Sequence, residues 1–241
     1  MKPAAKFLPL LLLCVLSSNV NSQQKHPVNT LLSPKQKCLV TIASYTGQGA
    51  LEKLKPACNL GLDAGLTVNE IKEALIHSYA YCGFPRSLRG LTTFMEVLNE
   101  RKAKGITDQQ GPAASPVKDE GSKYERGKAI LAELTGVKES GVATGYAAFA
   151  PEIEVFLKEH LFADIFERDV LNYQERELVT VAVLAGIGGV EPMLRSHLGI
   201  CLKVGLTPEQ LRDYLTVIKT TVGKDDAFAA ESVLNEVLKQ N

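Results

Sequence analysis

The same helical unit occurs twice along the chain, and this repeat constrains the fold more than any other feature. Lys37-Cys38-Leu39-Val40-Thr41-Ile42-Ala43 lies over Arg176-Glu177-Leu178-Val179-Thr180-Val181-Ala182. Gly47 then meets Gly186 and Gly49 meets Gly188. After a one-residue slip, Gly65-Leu66-Thr67 meets Gly205-Leu206-Thr207. Two similar supersecondary units packed together are the expected result.

Each unit reads as helices. Leu39, Ile42 and Ala43, and likewise Leu178, Val181, Ala182 and Ala185, recur at helical spacing. Gly65 and Gly205 suit a left-handed helix C-terminus. Thr67 and Thr207 follow as N-caps, with Glu70 and Gln210 completing capping boxes and Pro208 at the first helical position. Ile71, Ala74 and Leu75 open the next helix of the first unit; Leu211, Leu215 and Ile218 do so in the second. The stretches 88–98 and 227–238 are amphipathic helices, and 124–134 and 152–166 add two more. No segment alternates as a half-buried strand does. The expected class is therefore all-α, a duplicated bundle of antiparallel helices. Residues 103–122, rich in Gly, Pro, Ser, Lys and Asp, read as a linker between units spanning 23–102 and 123–241.

Residues 1–22 carry the pattern of a secretory signal peptide. Lys2 and Lys6 precede an apolar run from Phe7 to Leu16, and Val20-Asn21-Ser22 offers a cleavage site. Cys14 sits where a lipidated cysteine could sit, although bulky Leu13 precedes it. An exported, periplasmic protein is expected, with no membrane span after removal of the leader. The 27 basic and 27 acidic residues balance, which gives no reason to expect a nucleic-acid partner. Four cysteines follow the leader: Cys38, Cys58, Cys82 and Cys201. None forms a C-x-x-C, and no His/Cys cluster has metal-ligand spacing, so no metal is expected.

The run Arg176 to Ala185, then Gly188-Gly189, Leu194-Arg195-Ser196-His197-Leu198 and Gly205-Leu206-Thr207 resembles the core motif of the carboxymuconolactone decarboxylase family. His77-Ser78-Tyr79-Ala80-Tyr81-Cys82-Gly83-Phe84-Pro85-Arg86 in the first copy resembles a later motif of the same family. Together these cover most of the chain after the leader. The resemblance implies an alkylhydroperoxidase D-like helical bundle. It includes both lactone decarboxylases and dithiol peroxidases, but the peroxidases need a C-x-x-C where this chain has Gly188-Gly189-Val190-Glu191-Pro192-Met193. Single-unit relatives form trimers or hexamers of dimers, so a trimer of two-unit chains is expected.

What remains for chemistry is Glu177 and His197, twenty residues apart on successive antiparallel helices. A carboxylate beside an imidazole fixes its tautomer, and such a pair can move a proton to or from a carbon acid without a cofactor. Arg86 and Arg195 are candidate holders of substrate carboxylates. His77 is the third catalytic candidate, and Tyr81 a substrate-binding one. The first copy keeps the late motif and the second keeps the early one. A composite site would then draw Glu177 and His197 from the second unit and His77 and Tyr81 from the first. The partner would be a small anionic organic substrate. By the repeat register Cys38 lies opposite Glu177 and Cys58 opposite His197, which suggests either a Cys38–Cys58 disulfide or two buried thiols. A thiol-dependent antioxidant activity on that pair, or a non-catalytic small-ligand-binding role, are the alternatives.

Overall fold

A computed structural model describes residues 31–117, 121–138, 141 and 144–240. The expected signal peptide and Cys14 lie outside the described residues. The described chain is helical, without strands. The first unit contains α1 (Pro34–Gln48), α2 (Leu51–Asp63) and α3 (Val68–Ala103). Then come α4 (Lys123–Thr135), α5 (Gly145–Phe149) and α6 (Pro151–Phe156), which runs into π-helical turns over Leu157–Phe166. The second unit has α7 (Tyr173–Ile187), α8 (Glu191–Lys203), α9 (Pro208–Thr221) and α10 (Lys224–Gln240).

The local signals act as the sequence suggests. Ser33, Thr67, Asn172 and Thr207 cap α1, α3, α7 and α9, each in a full capping box. Gly65 (φ 92°) and Gly205 (φ 95°) take the left-handed conformation after α2 and α8. The stretches expected as two helices in the first unit merge into α3, which kinks at Gly83 (φ 77°, ψ 162°). Gly223 stands at the matching place in the second unit, where the chain breaks between α9 and α10. The segment 106–117 has no helix but is tied down. The Gln109 and Gln110 carbonyls accept from the backbone N–H of Val68 and Asn69, two of the otherwise unpaired donors in the first turn of α3.

The two units pack about a pseudo-dyad, with α1 and α7 as the central pair. α7 is buried from Arg176 to Gly186, as a helix apolar on nearly every side must be. α1 also packs on α9, and α7 on α3, so each unit's first helix lies on the other unit's third. At the α1–α7 crossing a Cβ on Gly47 would come 2.8 Å from the Val183 carbonyl oxygen. One on Gly186 would come 2.6 Å from that of Ser44. The reciprocity marks the dyad, because Gly47 matches Gly186 and Ser44 matches Val183 in the repeat.

The obstructing atoms are backbone, which cannot rotate aside. Gly186→Ala should therefore lower unfolding free energy by about 2–3 kcal/mol, at the upper end of ordinary overpacking. Gly199→Ala is the control. A Cβ there meets nothing within 4 Å, and relief of glycine's helix penalty should leave stability unchanged or raise it by up to about 1 kcal/mol. Urea denaturation of both variants measures the difference.

Two ion pairs repeat the same symmetry. Arg176 of the second unit meets Glu73 of the first at 2.7 Å, and Lys37 of the first meets Asp213 of the second at 2.9 Å. The α4–π-helical hairpin stands outside the repeat. It builds a small second core from Ile130, Leu134, Leu161, Phe162, Ile165 and Phe166, which closes on Ile200 of α8. Among the described residues no helix is long and apolar enough to cross a membrane.

Candidate active site

α7 and α8 run antiparallel around Gly188 and Gly189, whose φ values of 65° and 68° make the turn. Glu177 and His197 lie at comparable distances from it and therefore face each other. His197 Nδ1 is 2.8 Å from Glu177 Oε2. Glu177 has no exposed surface, while the His197 side chain keeps 14%. With Glu177 accepting at Nδ1, the imidazole's Nε2 is the nitrogen left for exchange with a ligand or water. The other carboxyl oxygen, Glu177 Oε1, is buried and has no hydrogen-bond partner.

The first unit contributes a stripe along α3. Glu73, His77 and Tyr81 follow at intervals of four, one helical turn apart, and face α7. Glu73 is bracketed by two guanidinium groups. Arg168 donates Nε and Nη2 to its two oxygens, both at 2.8 Å, and Arg176 adds Nη2 at 2.7 Å. Burial raises the Glu73 carboxyl, but these hydrogen bonds outweigh it and hold the group below the ordinary range. One turn on, His77 Nε2 lies 2.8 Å from Thr180 Oγ1, and Arg176 Nη1 lies 3.3 Å from His77 Nδ1. His77 is fully buried. Burial, then the charges of Arg176 and His197, hold it well below the usual imidazole value, so it is neutral.

The neutral His77 has a measurable consequence. Unfolding exposes an imidazole that binds a proton below a pH of about 6.5, which the folded state refuses. Stability should therefore fall with falling pH from there, by up to about 1.4 kcal/mol per pH unit. Loss of the Glu73 interactions adds to this only at lower pH, as the pH drops through its depressed folded value. Thermal unfolding of wild type at pH 7.5 and 5.5 should show the loss, and His77→Gln should flatten it. An equal loss in both proteins would contradict the assignment.

Tyr81 joins the two units. Its ring centroid is 5.5 Å from that of His197, edge-on, and 5.4 Å from that of His77. Burial and the Glu177 charge hold its hydroxyl well above the ordinary phenol value, so Tyr81 is a donor and not a base. That hydroxyl is buried, and Thr180 beside it offsets part of the rise. Phe166 of the π-helical turns covers the other side of His77, with centroids 5.1 Å apart. Glu177, His197, His77 and Tyr81 thus converge as the composite arrangement requires, although His77 touches the pair only through Tyr81.

Three expectations are corrected. Arg195 does not face the pair; it forms an ion pair with Glu236 of α10. It precedes His197 by two residues, which is about 200° around a helix of 3.6 residues per turn. Arg86 lies beyond the Gly83 kink, and its Nη1 donates to the Gly47 carbonyl near the end of α1, where helix carbonyls lack partners. Cys38 and Cys58 are free thiols, so the suggested disulfide is not formed. Burial raises both thiols, Cys58 to about 12, which disfavours the thiolate that peroxide reduction needs.

Sequence reasoning missed Glu73, Arg168, Arg176 and Thr180. One signal was available: Glu73 and Asp213 align in the repeat, as do Lys37 and Arg176, so each copy places a cation opposite an acid of the other.

The carboxymuconolactone decarboxylase family profile matches residues 23–94 and 151–236, more than half of the chain. The chain belongs to the carboxymuconolactone decarboxylase family. The two matched stretches cover most of both repeats, the second also taking in α6 and the π-helical turns, and leave out the end of α3, α4 and α5. Among curated relatives of this family member, the 4-carboxymuconolactone decarboxylase of Acinetobacter baylyi is 27% identical over 118 residues, 48% of this chain and 87% of that protein. The nitrosuccinic acid decarboxylase of Metarhizium robertsii is 31% identical over 74 residues, 31% of this chain and 52% of that protein.

Proposed function

We propose that this family member is a cofactor-independent decarboxylase of a small carboxylated carbon acid, with His197 as the proton donor and Glu177 as the group that orients it. The observation that carries the reading is the 2.8 Å contact between buried Glu177 and the solvent-edged imidazole of His197. The relatives named for decarboxylating 4-carboxymuconolactone and nitrosuccinic acid support the reaction class. In both acids, loss of CO2 leaves an electron pair that can spread onto oxygen, in a conjugated lactone or a nitro group. The C–C bond breaks and CO2 departs without the pair. The imidazolium Nε2–H then delivers its proton to a carbon of the delocalised anion, and water returns a proton to the ring. Tyr81 and His77 form the wall contributed by the first unit.

The test is direct. Purified protein is mixed with 4-carboxymuconolactone or nitrosuccinate, and CO2 release and product are followed by NMR. Turnover of either acid above the buffer rate supports the reading. Buffer-rate decay of both would count against it. The apolar leader supports an exported setting, which cell fractionation tests.

A further inference from the structure

Arg176 imposes a direction on the hydrogen bonds around His77. A guanidinium donates and cannot accept. Its Nη1 lies 3.3 Å from His77 Nδ1, so that nitrogen is the acceptor, and the neutral imidazole carries its proton on Nε2. Nε2 therefore donates to Thr180 Oγ1 at 2.8 Å. The hydrogen of the Thr180 hydroxyl is then left to be given onward. Against the rise from burial and the Glu177 charge, Thr180 lowers the Tyr81 hydroxyl, which is the effect of a donor on a phenol oxygen. Tyr81 in turn sets its ring edge-on to His197, with centroids 5.5 Å apart and planes at 83°.

The pseudo-dyad separates this chain of bonds from the scaffold. Both halves keep an ion pair between units, Arg176 with Glu73 and Lys37 with Asp213. Only one half keeps the rest. In the other, Val217 stands at the place of His77 and Thr221 at the place of Tyr81. Thr41, the mate of Thr180, donates back to the Lys37 carbonyl at 2.9 Å, and Thr221 meets the Ser44 hydroxyl at 3.0 Å. That half also has Cys38 and Cys58 where Glu177 and His197 stand. The scaffold thus closes without a His–Thr–Tyr chain, and the chain occurs on the side that carries the acid–base pair.

Glu177 holds His197 at one nitrogen. One hydrogen bond fixes the tautomer but leaves the ring plane free to turn about it. A contact against the ring itself removes that freedom, and the edge of Tyr81 supplies one. Reacting groups keep their geometry only when the side chains behind them are locked in turn. We infer that Arg176, His77 and Thr180 are positioning residues, a one-way chain of hydrogen bonds that anchors Tyr81 so that its ring fixes the plane of the His197 imidazole and the direction of its Nε2. This deepens the decarboxylase reading and rests on it for the use of Nε2. The anchoring itself can be read without turnover.

Nitrogen-15 NMR of the protein labelled in histidine reads the first link. His77 should show a protonated Nε2 and a bare Nδ1, and a protonated Nδ1 would overturn the inference. Thr180→Val keeps the shape and removes the hydroxyl, and Thr180→Ser restores it. Cross-relaxation between the Tyr81 and His197 ring protons should weaken in Thr180→Val and return in Thr180→Ser. With whichever of 4-carboxymuconolactone and nitrosuccinate wild type decarboxylates, kcat of Thr180→Val should fall about tenfold to a hundredfold at nearly constant KM, the scale of a small misplacement of reacting groups. Thr180→Ser should recover most of it. Tyr81→Phe breaks the same link from the other end and takes the place of Thr180→Val if that variant does not fold. Unchanged ring cross-relaxation in a folded Thr180→Val would overturn the inference, as would an unchanged kcat, and either would leave the function standing. Turnover of neither acid by wild type, with the tautomer and the cross-relaxation as expected, would sink the decarboxylase reading and support the anchoring.

Discussion

Replacing His197 by Gln should reduce decarboxylation by about a hundredfold to ten-thousandfold while KM changes little, the usual scale for loss of a positioned proton donor. The amide can still meet Glu177 Oε2, so the pair's packing persists, but it has no titratable proton to give. Glu177→Gln should lose a comparable factor by another route. Its NH2 can turn toward Nδ1 and select the wrong tautomer, leaving the ring present but misprotonated. His197 is at the solvent edge, so its variant should melt near the wild-type temperature. A large loss of turnover in a normally melting protein separates chemistry from folding.

The largest expected effect on stability comes from Glu73→Ala. Arg176 has no exposed surface, and removing Glu73 leaves its charge buried beside that of Arg168. Breaking a buried pair in this way costs about 3–5 kcal/mol. The pseudo-symmetric pair provides an internal comparison. Lys37 is 39% exposed and can turn to water when Asp213 is lost. Asp213→Ala should therefore cost only about 1–2 kcal/mol, mostly for its bond from the Leu32 backbone N–H. Replacing Glu73 and Arg176 together by leucine should recover much of the loss, because a buried ion pair and well-packed apolar groups are often near parity. Urea denaturation of the four proteins gives the comparison. Equal costs at Glu73 and Asp213 would contradict the electrostatic account.

The fold was legible because its signals are local and occur twice. The capping boxes at Thr67 and Thr207 and the left-handed glycines at 65 and 205 need only a few residues of context. The Glu177–His197 contact was also legible, since twenty residues with a Gly-Gly turn bring two helix positions face to face. The π-helical turns of 157–166 were not, because an extra residue per turn leaves little mark on apolar spacing. The arginines were misassigned for a geometric reason. Motif adjacency put Arg195 and Arg86 near the chemistry, but a two-residue offset around α8 and the kink at Gly83 turn them away. The Cys38–Cys58 pairing carried a register across the repeat, but register alone does not bond two thiols, and both are free. The network of Glu73, Arg168, Arg176 and His77 depends on contacts between units about a hundred residues apart, visible only once the pseudo-dyad is known.

Decarboxylation in D2O probes the central assignment at the reacting atom. A single imidazole reaching the anion from one side should deliver one deuterium to the carbon that takes up the proton, on one face, in wild type. His197→Gln should show only the slow, face-indifferent labelling of the uncatalysed reaction. Equal labelling of both faces by wild type, or undiminished one-face labelling by the variant, would contradict proton delivery by His197.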